Sequence, residues 1–405
     1  MEGVRIISSQ TISNILTLRY NPVKKSRIPP LGWRDFIFKN EKAKSDDFVE
    51  ASIIKVIQEK IEDSSKTKVS VSLSGGVDST LVFALLKQAL QNVKIKATSI
   101  KFAESTDESK HAAKIAHKFD VDHDVLYLEN YLRDLPKAIS IIKLPFWDLH
   151  WYYVVKKAKT VSKFLVSGDG GDEIFGGYTF RYQKFLSLID NTSTPVEKVK
   201  AYLQCHERDW VPDQENLFGK KTKFNWNKVY RRMIPFFSNS LPPLSQVFLA
   251  DFNGKLLYNW VPLNTKFHEH FKVKPITPIL SKKLIAYGTH LPVESKYDAQ
   301  KNIGKLPLRK ILQKYKLEQL VNKQKQGFSV NTVNLWKSHG YELCDYYLSD
   351  ARIVKDKWIN GEWISLHKKK DLDIRYVNKF LGILALEIWY RLFITKEMKP
   401  EKHLC

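Results

Sequence analysis

The sequence predicts an α/β fold built on a parallel sheet, and three observations carry this prediction. Short apolar strand-like segments alternate with helical patterns between residues 47 and 166. Two glycine-bearing turns, SGGVDS and SGDGGD, follow two of these strand-like segments directly. Aromatic, lysine-rich and helical segments dominate the rest of the chain. Alternating strands and helices are typical of a parallel sheet that helices cover on both faces.

The order of the elements follows from hydrophobic periodicity. Residues 1–45 mix short apolar runs with turn residues, which predicts an irregular or β-rich lead-in. Five segments are predicted to be helices: DDFVEASIIKVIQEKIED, DSTLVFALLKQAL, ESKHAAKIAHKF, ENYLRDLPKAISII and residues 149–159. Four segments between and after them are predicted to be strands: VSVSL, VKIKATSIKF, VDHDVLYL and KFLVSG.

The second half of the chain has a different character. Proline-bearing breaks such as KPITPIL interrupt helical patterns, and LGILALEIWYRLF is a candidate buried helix. We therefore predict a lead-in over 1–45, a parallel-sheet domain over 46–185, and a mostly helical region over 186–405. These 405 residues, 43% of them hydrophobic, suffice for two or three packed units.

Charge and cysteine content narrow the class of protein. The net charge is +23, of which residues 181–405 carry +18. This half either presents a solvated lysine-rich surface, which the scattered positions favour, or binds a polyanion such as tRNA. No apolar run could span a membrane and no secretory signal is evident, so the cytoplasm is the expected location. The three cysteines predict neither a disulfide framework nor a metal cluster: Cys205, Cys344 and Cys405.

The SGGVDS turn has the composition of a phosphate site. Glycines let the backbone approach an anion closely, and the following helix directs its N-terminal amides toward it. Asp78 would repel phosphate on its own, but Mg²⁺ can bridge a carboxylate and phosphate oxygens. The alternative is a plain glycine turn in which Asp78 caps the helix. The turn lacks the Gly-Lys-Ser/Thr ending of a Walker A loop.

The second turn, in FLVSGDGGDEIFGGYTFRY, repeats this logic at the end of a later strand. Asp169, Asp172 and Glu173 place three carboxylates within five residues, and such a cluster needs a compensating cation or proton. If Asp78 faces Asp172, the two turns form a two-carboxylate Mg²⁺ site for a nucleotide. The alternative is a solvated acidic loop.

Together the two motifs resemble the synthetase domain of the asparagine synthetase family, an ATP-pyrophosphatase (PP-loop) fold of the adenine nucleotide alpha hydrolase-like type. SGGVDS followed by SGDGGDEIFGGY carries the resemblance, which DESKHAAKIAHKFDVDHDV, LPFWD, GKLPLRKIL and KQKQGFSV extend. It covers residues 45–185 well and 275–335 in patches. It implies ATP and Mg²⁺ as cofactors and an AMP- and pyrophosphate-forming amide synthetase, in which a carboxylate is adenylated and ammonia displaces AMP.

The resemblance also implies residue roles. Glu173 would accept a proton from ammonia, Lys325 would stabilise charge on the phosphate or intermediate, and Lys305 lies in a matching stretch. Lys325 could alternatively be a surface lysine. Asp78 and Asp172 would hold Mg²⁺. The ATP-binding positions implied are Ser72, Leu73, Ser74, Gly75, Gly76, Asp78, Ser79, Ile100, Ser167 and Gly168.

The sequence departs from the family pattern in two ways. Glutamine-dependent members begin with Met-Cys, whereas Glu2 follows Met1 here, and about fifty residues precede the first synthetase helix. Free ammonia, or ammonia from a separate glutaminase subunit, is therefore the expected nitrogen source. The acceptor side also lacks the family's charges. The positions aligned with it are Thr265, Lys266, Lys274, Ile276 and Ser281.

Three hypotheses remain open from the sequence. The first is an amide synthetase with aspartate as its leading acceptor, and the second is amidation of a sugar acid, peptide or RNA-base carboxyl. The third is a non-catalytic nucleotide-binding homologue. FHEHF, with His268, Glu269 and His270, is predicted to be an ordinary loop rather than a metal cluster, because His-x-His spacing places the two rings on different faces of a helical turn.

Overall fold

A computed structural model describes residues 7–22, 26–38, 46–61, 67–107, 109–321 and 330–405. Its first half alternates helices with strands. The elements are α1 (Ser9–Leu18), α2 (Asp46–Lys60), β1 (Lys68–Ser72), α3 (Val77–Ala89), β2 (Lys94–Phe102), α4 (Ser109–Lys118), β3 (Asp122–Leu128), α5 (Leu135–Ile142), α6 (His150–Lys159), β4 (Phe164–Val166), α7 (Gly171–Phe175) and α8 (Thr179–Ser187).

The second half is mostly helical. Its elements are α9 (Pro195–Gln204), α10 (Gln214–Leu217), α11 (Trp226–Phe237), α12 (Pro243–Asp251), α13 (Val261–Phe271), β5 (Lys274–Ile276), α14 (Lys282–His290), β6 (Tyr297–Asp298), β7 (Ile303–Gly304), α15 (Leu306–Lys314), α16 (Thr332–Leu335), α17 (Tyr341–Ser349), α18 (Arg352–Lys355), α19 (Gly361–His367) and α20 (Ile374–Phe393). A π-helical segment, Phe252–Trp260, joins α12 to α13.

The central sheet has five parallel strands in the order β3-β2-β1-β4-β5. β1 pairs with β2 on one side, Ser72 opposite Thr98, and with β4 on the other, Val71 opposite Val166. The chain leaves β1 toward β2 and returns later to β4, so the strand order reverses between β1 and β4. Ligands of parallel sheets bind at such reversal points, beyond the carboxyl ends of the strands. The parallel α/β fold with a mostly helical second half is confirmed.

Helices cover both faces of the sheet, which explains the apolar strands. Val69 and Val71 of β1 are fully buried and pack in one apolar cluster with α2, α3 and α15. Leu165 of β4 and Phe102 of β2 belong to a second cluster with α5, α6 and α20. The predicted buried helix near the C-terminus is confirmed as α20. No helix in the described ranges has the length and apolar character needed to cross a membrane.

The lead-in differs from its prediction. The expectation of irregular or β-rich structure over 1–45 is wrong for α1, which is helical. The other described residues of this segment form a 3₁₀ turn, Trp33–Phe36, and irregular stretches, with no strand. Ser8 caps α1 by accepting a hydrogen bond from the Thr11 N–H, at 3.1 Å. Ile12 and Leu16, one turn apart, are buried, and α1 packs on α20. β-Branched residues concealed this helical spacing.

β5 is the second difference. The segment KPITPIL reads as a proline-bearing break, yet Lys274–Ile276 pairs with β4 as the outermost strand. Pro275 has no N–H to donate, and an edge strand tolerates it because one side lacks a partner. The main-chain N–H of Ser167 donates to the carbonyl of Ile276 at 3.0 Å, which continues the pairing to the start of the acidic turn.

Of the cysteines, Cys344 is buried, Cys205 is partly buried and Cys405 is exposed, and all three are free thiols. Burial raises the pKa of Cys205 to about 11, so it is protonated at neutral pH.

Candidate functional site

The first turn joins β1 to α3. Gly75 has a left-handed backbone, with φ at 74°, and a Cβ there would lie 2.8 Å from the Cβ of His111. Only glycine satisfies both constraints. The Ser74 N–H donates to the hydroxyl of Ser79 at 3.2 Å, and the two serine hydroxyls are 2.9 Å apart. These contacts fix the turn ahead of the N-terminus of α3.

The second turn lies directly against the first. A Cβ on Gly168 would come within 2.5 Å of the main-chain carbon of Asp78, and one on Gly171 within 2.4 Å of the Asp78 side chain. These glycines therefore allow close approach of the two turns, which the strand order brings together beyond β1 and β4. The structure confirms that the turns face each other.

Lys305 lies between the two turns. Its Nζ is 2.5 Å from Oδ2 of Asp78 and 2.8 Å from Oδ1 of Asp172, and the residue is only 8% exposed. It reaches this position from a left-handed backbone (φ 60°) immediately before α15. Burial alone would lower the pKa of Lys305. The charges of Asp172 and Asp78 raise this pKa by more than burial lowers it, so the pKa of Lys305 lies above its ordinary value. The lysine is a cation held by two carboxylates.

This donor set fits Mg²⁺. Two carboxylates from different turns converge on one position, and that position already attracts a cation, the ammonium of Lys305. Hard oxygen ligands of this type suit Mg²⁺, which usually takes one or two carboxylates together with phosphate oxygens. Asp78 and Asp172 are thus the residues that could hold the metal.

Asp169 is a candidate that the sequence-based residue assignment omitted. Its Oδ2 accepts a hydrogen bond from the Ser167 hydroxyl at 2.5 Å. Burial raises the pKa of Asp169 to about 7, and the charges of Glu173 and Asp78 add to the rise. A carboxyl that titrates near neutral pH can exchange a proton with substrate. The signal in the sequence is the crowding of three acids in SGDGGDE.

Glu173 lies on α7 and is positioned by a chain of polar contacts. The Tyr178 hydroxyl donates to Oε1 of Glu173 at 2.6 Å, and the Arg181 guanidinium lies 3.8 Å above the Tyr178 ring centre. Arg181 in turn forms a two-point ion pair with Asp251, at 3.1 and 3.3 Å. Burial and the Glu173 charge raise the pKa of Tyr178 well above its usual value, so its hydroxyl is protonated.

The implied nucleotide-binding residues lie at or near the carboxyl ends of three neighbouring strands. Ser72 ends β1, Ile100 lies in β2 two residues before its end, and Ser167 follows β4. Ser99 donates to the carbonyl of Leu73 at 2.6 Å, which ties the start of the first turn to β2. Lys325 lies outside the described residues.

The residues aligned with the family's acceptor positions have local partners. Lys266 pairs with Glu269 at 2.9 Å on the surface of α13. The ammonium of Lys274 lies 5.5 Å from the Phe164 ring centre, and Ser281 caps α14. These contacts give three of the five positions a structural role.

The prediction of an ordinary loop for FHEHF is wrong, because it forms the last turn of α13. The described residues contain no group of three His, Cys, Asp or Glu side chains placed to hold an ion. His268 is buried, and its Nδ1 lies 2.9 Å from the carbonyl oxygen of Val273. Burial lowers the pKa of His268 to about 4, so it is neutral at pH 7.

The fold and the paired turns place this chain among the α/β proteins that bind their ligands beyond the carboxyl ends of parallel strands. Within that class, the family model described as asparagine synthase matches residues 60–391. The chain belongs to the asparagine synthase family.

Curated relatives carry the same family name at low identity. The chain is 24% identical over 400 residues to glutamine-hydrolyzing asparagine synthetase 1 of Bacillus subtilis (strain 168), a match that covers 87% of this chain and 61% of the relative. It is 27% identical over 442 residues to a putative glutamine-hydrolyzing asparagine synthetase of Mycobacterium bovis, covering 98% of this chain and 66% of the relative. The chain thus spans less than two thirds of these relatives.

A shorter match and two solved structures complete the comparison. A putative asparagine synthetase of Methanocaldococcus jannaschii is 32% identical over 157 residues, which is 34% of this chain and 30% of the relative. The ammonia-dependent NAD synthetase of Campylobacter jejuni has a TM-score of 0.24 at 17% identity and covers 49% of this chain and 98% of its own. The U34-tRNA thiolase NcsA of Methanococcus maripaludis has a TM-score of 0.28 at 11% identity and covers 83% of this chain and 80% of its own.

Proposed function

We propose that the chain is an ATP-dependent amide synthetase that forms AMP and pyrophosphate. The observation that carries the proposal is the convergence of Asp78 and Asp172, from two strand-end turns, on the single ammonium of Lys305. A structural ion pair would need one carboxylate, whereas a nucleotide site needs paired acids for a cation and glycine turns for phosphates. Membership of the asparagine synthase family supports the reaction type.

The reaction has two steps. A carboxylate oxygen of the acceptor attacks the α-phosphorus of ATP, the bond to the β-phosphate oxygen breaks, and pyrophosphate leaves. Ammonia then attacks the carbonyl carbon of the acyl-adenylate, and the bond to AMP breaks as the amide forms. The attacking nitrogen loses a proton to a base. Adenylation is needed because a free carboxylate is a poor electrophile.

Chain residues have distinct tasks in this scheme. The SGGVDS amides and the start of α3 face the phosphates, and the glycines let the backbone approach them. Lys305, with Lys325 from the family resemblance, offsets negative charge that develops on the phosphates. Mg²⁺, held by Asp78 and Asp172, would neutralise phosphate charge and so ease loss of pyrophosphate.

Two carboxyls are candidates for the base. Glu173 is the residue that the family resemblance implies, and it accepts a hydrogen bond from the Tyr178 hydroxyl. Asp169 has a pKa of about 7 and lies in the same turn. If either accepts the proton, Glu173→Gln or Asp169→Asn should keep acceptor-dependent pyrophosphate release and lose amide formation by about 10²-fold or more.

The acceptor is proposed to be aspartate, because the named relatives are asparagine synthetases. A sugar acid, a peptide or an RNA-base carboxyl is the alternative, since Lys266 and Lys274 are already engaged by neighbours. The nitrogen donor is ammonia, free or delivered by a separate glutaminase subunit.

The test incubates the purified chain with ATP, Mg²⁺, ammonium and aspartate, and measures AMP, pyrophosphate and asparagine. Equal amounts of all three support the proposal. A panel of other carboxylates in place of aspartate identifies a different acceptor by the pyrophosphate it releases. If no carboxylate releases pyrophosphate, the chain is a nucleotide-binding homologue without this activity, and the proposal fails.

A further inference from the structure

A strongly basic face lies away from the strand-end turns. The chain has no acidic residue between Glu215 and Asp251, a stretch that includes α11 and the loop before it. This stretch contributes six basic residues, and α9, which packs on α11, adds two more. We call these eight the basic face: Lys198, Lys200, Lys220, Lys221, Lys223, Lys228, Arg231 and Arg232.

The basic face keeps most of its charge on folding, although the charge of Glu197 on α9 interacts with that of Lys200. Within the described ranges, none of its eight side chains forms an ion pair with an acid. Elsewhere the chain pairs its lysines readily, as with Lys96 and Asp124 at 2.9 Å or Lys184 and Glu207 at 3.0 Å. Lys220, Lys228 and Arg231 are exposed. An unpaired concentration of positive charge attracts polyanions.

A pocket of about 280 Å³ adjoins this face. The first turns of α1 and α11 both border it, and Lys223 and Lys228 contribute its charged groups. The lining also includes Ser8, Ser9 and Ser13, and no acid. Lysines are among the groups that contact phosphate oxygens of a nucleic-acid backbone.

Aromatic rings are interleaved with the bases in the segment KKTKFNWNKVYRR. Trp226 and Tyr230, one turn apart on α11, are nearly parallel, with ring centres 5.8 Å apart and planes at 17°. Both are partly exposed, and the ammonium of Lys200 lies 5.8 Å from the Tyr230 ring centre. Basic grooves with stacked aromatics bind single strands, because every base has a face on which to stack.

We infer that the basic face, with its pocket, binds single-stranded nucleic acid through the phosphate backbone. Charge alone would suffice to bind an acidic protein, and the aromatic rings and the pocket would then have no role. The inference stands independently of amide synthesis, because it uses none of the residues at the strand-end turns.

The experiment measures binding of a fluorescently labelled 20-nucleotide single-stranded RNA to the full chain by anisotropy between 50 and 300 mM salt. The variant Lys220→Gln, Lys228→Gln, Arg231→Gln removes three exposed charges. Its affinity at 50 mM salt should fall about tenfold or more, and the slope of log K against log salt should shrink by about 2, at roughly 0.7 per lost contact. A matched control, Lys370→Gln, Lys399→Gln, Lys402→Gln, removes three exposed charges elsewhere.

The control variant should bind RNA as the unchanged chain does. Equal losses in both variants would show that overall charge, not this face, binds the RNA, and would overturn the inference. So would no binding at 50 mM salt, or charge-dependent binding only to an acidic protein or to phosphatidylserine vesicles. Thermal unfolding verifies that the triple variant folds. The single variant Lys223→Asn is a second test, because asparagine also accepts the left-handed backbone at this position. We expect it to lose less RNA affinity than the triple variant.

Discussion

Asp78 is the residue whose loss should most affect the proposed reaction. It contributes a carboxylate oxygen 2.5 Å from Lys305 and lies in van der Waals contact range of the second turn. Asp78→Asn keeps the shape and removes the charge. We expect acceptor-dependent pyrophosphate release to fall by about 10²–10³-fold, as for loss of other charge-stabilising groups at reacting phosphates and carbonyls.

The matched control for this prediction is Asp120→Asn. Asp120 is exposed and has a left-handed backbone that asparagine also accepts. Its pyrophosphate release should match that of the unchanged chain. Full activity of Asp78→Asn would exclude Asp78 from the nucleotide site.

Lys305 offers a prediction with a readout besides activity. Lys305→Gln leaves Asp78 and Asp172 facing each other without their cation, which should lower the free energy of unfolding by about 3 kcal/mol in EDTA. Added Mg²⁺ should restore more of this loss in the variant than it adds to the unchanged chain. Denaturant unfolding with and without Mg²⁺ measures both quantities.

Lys301→Gln is the control, because Lys301 forms an exposed pair with Asp298 at 3.9 Å. It should change the free energy of unfolding by less than about 1 kcal/mol in either condition. Equal Mg²⁺ effects in Lys305→Gln and the unchanged chain would contradict a cation site between the carboxylates.

The sequence predicts part of this site and misses part of it. Gly75 and Gly168 follow apolar strand segments, so their place at strand ends is readable from order alone. Lys305 is separated from Asp78 by 227 residues, and only the fold shows that it binds both acids. Asp169 was not assigned because its raised pKa arises from burial, which the sequence of a glycine-rich turn does not reveal.

At the scale of elements, α1 and α20 are joined by a buried lysine. The Lys379 ammonium donates to the carbonyls of Leu16 and Asp209, and the residue is only 3% exposed. Burial lowers the pKa of Lys379 to about 7 from its ordinary 10.5. Between these values the unfolded chain binds more protons than the folded one, so this residue makes stability rise with pH from about 7 to 10.5.

Lys379→Met should remove that rise. Guanidinium unfolding at pH 7 and pH 9.5 measures it: the unchanged chain should gain stability relative to the variant at the higher pH. Lys402→Met, at an exposed position, should behave as the unchanged chain does. A pH dependence identical in all three proteins would show that Lys379 keeps its ordinary pKa when folded.

Hydrophobic periodicity in the sequence predicts some helices and strands of this chain and misses others. α20 is mostly apolar, apart from residues such as Lys379, and its sequence predicts a buried helix. In contrast, α1 has the β-branched run TISNIL and is identified through its Ser8 cap and its contact with α20. β5 is three residues long and contains Pro275, so only pairing with β4 defines it as a strand. Tertiary contacts decided both cases over local propensity.

At the scale of the whole molecule, the two halves share one sheet. β5 and Lys305 both follow residue 185, the boundary predicted from composition, and that boundary stays a prediction. A fragment of residues 46–185 would expose the β4 edge and leave Asp78 and Asp172 without Lys305. We expect it to be poorly folded, with little dispersion in an amide NMR spectrum, whereas the full chain unfolds cooperatively.

A well-dispersed spectrum for residues 46–185 would contradict this expectation and establish an independent unit with that limit. The full chain under the same buffer is the reference.

Thermal unfolding of the full chain with and without Mg²⁺ and ATP should show one transition that shifts upward as a whole, because ligand binding to a shared site stabilises both halves.

The wide separation of Asp78 and Lys305 along the chain also bears on synthesis. A ribosome translates the acidic turns first and delivers the lysine 227 residues after Asp78. The nascent chain therefore carries both carboxylates without their built-in counter-charge from Asp172 to Lys305, which is about a third of its translation. Closure of the cluster of Asp78, Asp172 and Lys305 is then a late event, completed only when about three quarters of the polypeptide has been synthesised.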